Sequence, residues 1–223
     1  MERIAHRGAK REFPENTLAA FARAYERGAD AVELDVHCTR DGVVVVHHDA
    51  AIPVRLPMFA ERNIADLDWS VVSTIDLGGG ATIPTLSEVL DSAPASATVY
   101  VEVKGAGIEE QVADVVRRHH TRCALHSFDH AAIGRLAVLA PDLPRGILLE
   151  HAVRDVVTAM RAVDARDLWP KWRLIDRKLV ELVHGAGGRV IAWTVNDRED
   201  AEQLIAMGVD GLCTDDVRLL DGL

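Results

Sequence analysis

Four short clusters carry most of the chemical potential of this sequence: His6-Arg7-Gly8, Glu33-x-Asp35, His47-His48-Asp49 and Glu102-x-Lys104. Each lies in or just after a short apolar run. Residues i and i+2 of a strand project to one side, so Glu33 and Asp35 face together. Turned into a core, such a pair is costly unless compensated. A divalent cation supplies the compensation, and oxygen ligands suit Mg²⁺ or Ca²⁺. The same spacing is also met by acids pointing outward at helix ends, and Glu102-x-Lys104 also fits a plain salt bridge. His6 and His48 are of the type that takes and gives protons near neutral pH. Arg7 and Lys104 add positive charge. Two cations, a metal and two histidines together suit a phosphate ester: the positive groups hold the non-bridging oxygens as charge builds, and the histidines move protons. For Arg7, a salt bridge to Glu15 or Glu33 is the competing reading.

The elements that position these groups follow from periodicity. Short apolar runs at residues 3–6, 31–36, 43–47, 98–103, 123–127, 146–149, 167–169, 189–194 and 211–214 read as strands. Amphipathic stretches at 16–27, 86–92, 108–119, 130–139, 153–163, 176–184 and 198–207 read as helices. Asp129 and Asn196 are placed as helix caps. Strand–helix alternation means parallel strands joined by crossover helices. Residues 36–43 leave no room for a crossover, and Arg40-Asp41-Gly42 is a hairpin signal. Setting that return strand aside leaves eight parallel strands. The expected fold is an α/β (β/α)8 TIM barrel with an antiparallel hairpin after strand 2 and a short insertion, with functional groups at the C-terminal strand ends.

In the hairpin, near one-to-one pairing sets His48 about opposite Asp35 and turns His47 to the other face as a structural residue. His119 and His120 sit at a helix end, away from the barrel mouth. The chain reads as one domain over 1–223. Its least regular part is residues 49–85, with Pro53, Pro57, Pro84 and Gly78-Gly79-Gly80, expected as an insertion or lid loop. Trp169-Pro170-Lys171-Trp172 reads as a surface packing cluster, with a wall of the substrate mouth as the alternative.

Composition narrows the function classes. Across 223 residues, 35 acids stand against 25 bases, a net charge of −10. That excludes a general nucleic-acid binder, which needs a basic face, but leaves room for a phosphorylated small molecule in a local basic pocket. Cys38, Cys123 and Cys213 are too scattered for a disulfide framework or a structural zinc site, which favours a reducing compartment. No apolar run reaches membrane-spanning length, and residues 1–4 show no signal pattern. The expectation is a cytoplasmic protein, monomer or homodimer.

The ordered motifs resemble the glycerophosphodiester phosphodiesterase family along nearly the whole chain. They are His6-Arg7-Gly8 with Pro14-Glu15-Asn16-Thr17, Val32-Glu33-Leu34-Asp35-Val36, Thr39-x-Asp41-Gly42, Val45-Val46-His47-His48-Asp49, Val101-Glu102-Val103-Lys104, Ser127-Phe128-Asp129 and Trp193-Thr194-Val195-Asn196. The resemblance implies a (β/α)8 barrel that hydrolyses glycerophosphodiesters to sn-glycerol 3-phosphate and an alcohol through a cyclic phosphate. It implies one divalent cation (Mg²⁺, Ca²⁺ or Mn²⁺), held by Glu33, Asp35 and Glu102. His6 and His48 become the acid–base pair. Arg7 and Lys104 become the phosphate contacts, and Trp193 lines the glycerol side or packs in the core. Asn16 braces the first loop or caps a helix. The final strand ends Thr214-Asp215-Asp216-Val217, where the family often has proline, which puts the shape of that loop in question.

Overall fold

The computed structural model describes residues 1–55 and 59–223. Its first strand, β1 (Glu2–His6), lies parallel to β2 (Ala31–Cys38) with His6 beside Glu33. β3 (Val44–Val46) pairs antiparallel with the far end of β2, taking the edge that β1 vacates. Six further barrel strands follow the insertion strands described below. The closed barrel is formed by eight parallel strands, and β3 is an appendage on it.

The insertion is more regular than its proline and glycine content suggests. β4 (Ala51–Arg55) pairs with β5 (Phe59–Asn63), and β6 (Asp76–Gly78) with β7 (Ala81–Thr82). A short helix, Trp69–Val72, lies between the pairs. Val45, Ile52, Ile64, Val72 and Ile83 are buried in a small core of their own. That core uses the outer face of β3, so alternation along this strand anchors the insertion to the barrel. Pro57, one of the residues marking the expected lid, lies outside the described residues.

The remaining strands are β8 (Thr98–Val103), β9 (Arg122–Ser127), β10 (Arg145–Leu149), β11 (Asp167–Pro170), β12 (Arg189–Ala192) and β13 (Gly211–Thr214). Helices cover them outside, and the main apolar core fills the space between. Helix starts follow side-chain capping. Thr17 caps the helix Leu18–Glu26 and Asp129 caps His130–Leu139. Asp197, and not Asn196, caps Arg198–Met207.

Inside the barrel, Ile4, Ala31, Tyr100, Ala124, Leu148, Trp169, Ile191 and Cys213 form an apolar floor. Side chains of a strand alternate, so the residues two positions further along rise on the same side. Among those are His6, Glu33, Glu102, His126 and Trp193. Trp169 corrects the expectation of a surface cluster: it is fully buried in the floor, edge-on to Tyr100 at 4.9 Å between ring centroids. Among the described residues no helix is long and apolar enough to cross a membrane, and all three cysteines are buried and free.

Candidate active site

A cleft of about 150 Å³ opens at the C-terminal ends of the strands, and His6, Arg7, Glu33, His48, Glu102, Lys104 and Trp193 all line it. Asp35, two residues beyond Glu33 on the same side of β2, is completely buried. The sequence-derived residues are thus brought to one place, and His126, Phe128, Leu148, Trp169 and Cys213 join them.

The first loop is built around two residues with unusual backbone. Arg7 and Asn16 have φ of 60° and 59°, a region that non-glycine residues seldom occupy. The peptide N–H of Asn16 donates to the Arg7 carbonyl at 3.0 Å. Both side chains then meet Asp35: Arg7 Nε at 3.0 Å and Asn16 Nδ2 at 2.9 Å from Oδ2. Asn16 therefore braces the loop, and the helix cap falls to Thr17. Gly8 has φ +80°, and a Cβ there would stand 2.7 Å from the Ala20 backbone. The turn after β1 thus requires glycine. Arg7 also donates to Glu15 at 2.9 Å, so the Glu15 salt bridge exists and Asp35 is its second partner.

His6 Nδ1 lies 2.6 Å from Asp215 Oδ1. Asn196 Nδ2 donates to the other oxygen of Asp215 at 2.7 Å, and Lys10 stands 3.4 Å away. Although burial opposes it, the His6 and Asn196 hydrogen bonds and the Lys10 charge hold the Asp215 carboxyl below the usual carboxylate range. An ionised carboxylate only accepts, so the neutral His6 ring carries its proton on Nδ1. That leaves the Nε2 lone pair on the cleft side, 4.0 Å from Glu33. His48 repeats the device, with Nδ1 at 2.7 Å from Asp49 Oδ1.

The hairpin register differs from expectation by one residue. Val36 pairs with Val46, and the His47 N–H donates to the Asp35 carbonyl at 2.9 Å. Strict alternation would turn His47 inward. Strand pairing stops at Val46, however, and the chain bends over residues 48–50. His48 is the residue that lines the cleft, while His47 Nδ1 engages the Asp49 carbonyl.

Electrostatically, the acids divide into two groups. Asp35 has Arg7 and Asn16 on one oxygen and Lys104 at 3.5 Å from the other. Although burial opposes it, these cations hold the carboxyl below its usual range. Burial, with a neighbouring acid second, pushes both Glu33 and Glu102 up to about 7. Glu33 Oε2 and Asp35 Oδ1 are buried without any hydrogen-bond partner. Two crowded acids and two orphaned carboxylate oxygens fit a divalent cation, whose charge would satisfy them. The donor atoms of Glu33, Glu102 and His126 all lie within 4.8 Å of one another.

Three participants escaped the sequence reading. Asp215 follows β13, at one of the strand ends where functional groups are expected, but nothing in the sequence ties its carboxylate to His6. Asn196 reads from the sequence as a cap. His126 stands directly before Ser127-Phe128 in β9, and its inward phase, shared with Ala124, was the available signal. Trp193 forms the opposite wall, with Nε1 donating to the Trp169 carbonyl at 2.9 Å and its ring edge-on to Phe128 at 5.4 Å.

Comparison with known proteins agrees with this architecture. The sequence model of the "Glycerophosphoryl diester phosphodiesterase family" matches residues 6–219. A glycerophosphodiester phosphodiesterase of Caldanaerobacter subterraneus is 34% identical, over 99% of this chain and 96% of the relative. An Oleispira antarctica phosphodiesterase, solved in complex with the product sn-glycerol-3-phosphate, superposes with a TM-score of 0.90 at 25% identity, covering 100% of this chain and 97% of the other. A putative glycerophosphoryl diester phosphodiesterase from Silicibacter pomeroyi gives 0.89 at 27% identity, over 99% and 93% of the two chains.

Proposed function

Because the chain belongs to the glycerophosphoryl diester phosphodiesterase family, we propose that its cleft hydrolyses small glycerophosphodiesters to sn-glycerol 3-phosphate and an alcohol. It is a phosphoric diester hydrolase. One observation carries the mechanistic reading. Two histidines on the cleft wall, His6 and His48, each have Nδ1 tied to a carboxylate, at 2.6 and 2.7 Å. Both are thereby oriented with a free Nε2 at the place where the acids and cations converge.

In this reading a glycerol hydroxyl attacks phosphorus and one histidine takes its proton at Nε2. The other histidine, protonated at Nε2, gives its proton to the departing alcohol oxygen. A cyclic phosphate results. Water then opens it with the two roles exchanged, leaving glycerol 3-phosphate. Asp215 and Asp49 stabilise whichever imidazolium forms and hold each ring in the tautomer that the step needs. Arg7 and Lys104 bind the non-bridging oxygens. Trp193 flanks the glycerol carbons. Glu33, Asp35 and Glu102 would hold the divalent cation; when bound, it supplies Lewis-acid polarisation of the phosphoryl group. The apolar floor under the cleft keeps the local dielectric low, so each of these charges acts strongly.

The test is a coupled assay for glycerol 3-phosphate on chelator-stripped protein. Glycerophosphocholine, glycerophosphoethanolamine and glycerophosphoglycerol would be offered with and without each divalent cation. Metal-dependent release from at least one is expected. Folded, metal-loaded protein that releases nothing, with no cyclic phosphate in the phosphorus NMR spectrum, would overturn the proposal.

A further inference from the structure

His126 is the most deeply buried nitrogen base in the cleft, with 1% of its surface exposed. Neither ring nitrogen has a hydrogen-bond partner. Buried polar groups are almost always paired, so the orphaned Nε2, which faces Glu33, calls for a ligand that the protein itself does not provide. The ring is locked in place by Trp169, stacked on it at 4.4 Å between centroids and 13° between planes. It therefore cannot swing toward a partner elsewhere.

The strand register fixes what it faces. Asp35 stands beside Glu102 across β2 and β8, and Glu102 beside His126 across β8 and β9. His126 Nε2 is 3.6 Å from Glu33 Oε1. That is too long for an N–H···O hydrogen bond, which ends at about 3.2 Å. It matches two donors sharing one ion: with bonds of about 2.1 Å and a tetrahedral angle, ligand atoms stand about 3.4 Å apart.

We infer that His126 is a nitrogen ligand of the cation held by Glu33 and Glu102, and that it turns this site toward a borderline first-row ion such as Co²⁺ or Zn²⁺ and away from Mg²⁺ and Ca²⁺. Hard cations take oxygen and gain little from imidazole, whereas the later, borderline first-row ions bind it well. The inference rests on the metal-dependent reading above, but concerns which ion is chosen and which atom chooses it.

The experiment is metal binding, read without turnover. Chelator-stripped protein and the His126→Gln variant would be titrated with Mg²⁺, Mn²⁺ and Co²⁺ by calorimetry. Mn²⁺-loaded samples would be examined by pulsed EPR for a coupled nitrogen. The expected result is preference for Co²⁺ over Mg²⁺ in the native protein, with a nitrogen coupling present in the Mn²⁺-loaded sample. His126→Gln should weaken Co²⁺ by about tenfold or more, leave Mg²⁺ within about twofold, and abolish the coupling. His126→Asn replaces the Gln variant if the latter does not fold. No nitrogen coupling in the native protein, or a coupling that survives the substitution, would overturn the inference. Failure of the native protein to bind any divalent ion would overturn the metal-dependent reading itself, and this inference with it.

Discussion

His6 Nδ1 and Asp215 Oδ1 are 2.6 Å apart although 209 residues separate them in the chain. The contact exists because β1 and β13 are neighbours in the closed barrel, with Ala5 beside Thr214 one position earlier. Barrel closure thus delivers the carboxylate that orients the first histidine. By contrast, Asp49 reaches His48 from the adjacent position in the sequence.

Asp215→Asn should lower kcat by about 10²-fold or more, because the amide can donate to Nδ1 and stabilise the wrong tautomer. KM should change far less than kcat, and the pH–rate profile should shift. Steady-state kinetics across pH checks this; an unchanged kcat would remove Asp215 from the mechanism.

His6→Ala and His48→Ala should each abolish measurable turnover while leaving thermal unfolding and metal affinity near native values. Circular dichroism and calorimetry provide the controls. Near-native kcat in either variant would sink the acid–base assignment.

Chelation should lower the thermal midpoint. A cation present at 100 times its Kd adds about 2.7 kcal/mol, equivalent to about 5–10 °C for a chain of this size. Glu33→Gln should erase that metal-dependent increment in differential scanning calorimetry. An increment that persists in the variant would place the metal elsewhere.

Asp215 also sets an acid limb of stability. Its pKa is lowered in the fold, so the folded state binds fewer protons there than the unfolded chain. The associated stability is present above the ordinary aspartate value of about 3.9 and is lost as pH falls below it toward the folded value. Asp215→Asn should flatten that limb in urea titrations between about pH 5 and pH 2. An equally steep limb in the variant would contradict the geometry.

Gly8→Ala should destabilise by about 3 kcal/mol, from the left-handed backbone and the close approach to Ala20 together. Chemical denaturation would show it as a lower midpoint at unchanged m. A neutral result would mean that the first loop can relax without losing its place.

By itself, the sequence determined whatever depends on local periodicity and turn chemistry. Period-two alternation aimed Glu33 and Asp35 to one side, Asp41-Gly42 reversed the chain after β2, and apolar runs alternating with amphipathic stretches implied the barrel. These are properties of a dozen residues at a time, and physics acts on them locally. Tertiary structure decided what depends on register and closure. It set His47, one residue from the expected position, opposite Asp35, and yet let the chain bend to bring His48 into the cleft. It buried Trp169 as a stacking platform where a surface cluster was expected, and gave the insertion a core of its own. It aligned Asp35, Glu102 and His126 across three strands, and brought Asp215 to His6. Pairing between distant strands is chosen by the packing of the whole core. No local pattern encodes it, because the energy that selects it is distributed over every residue of the barrel.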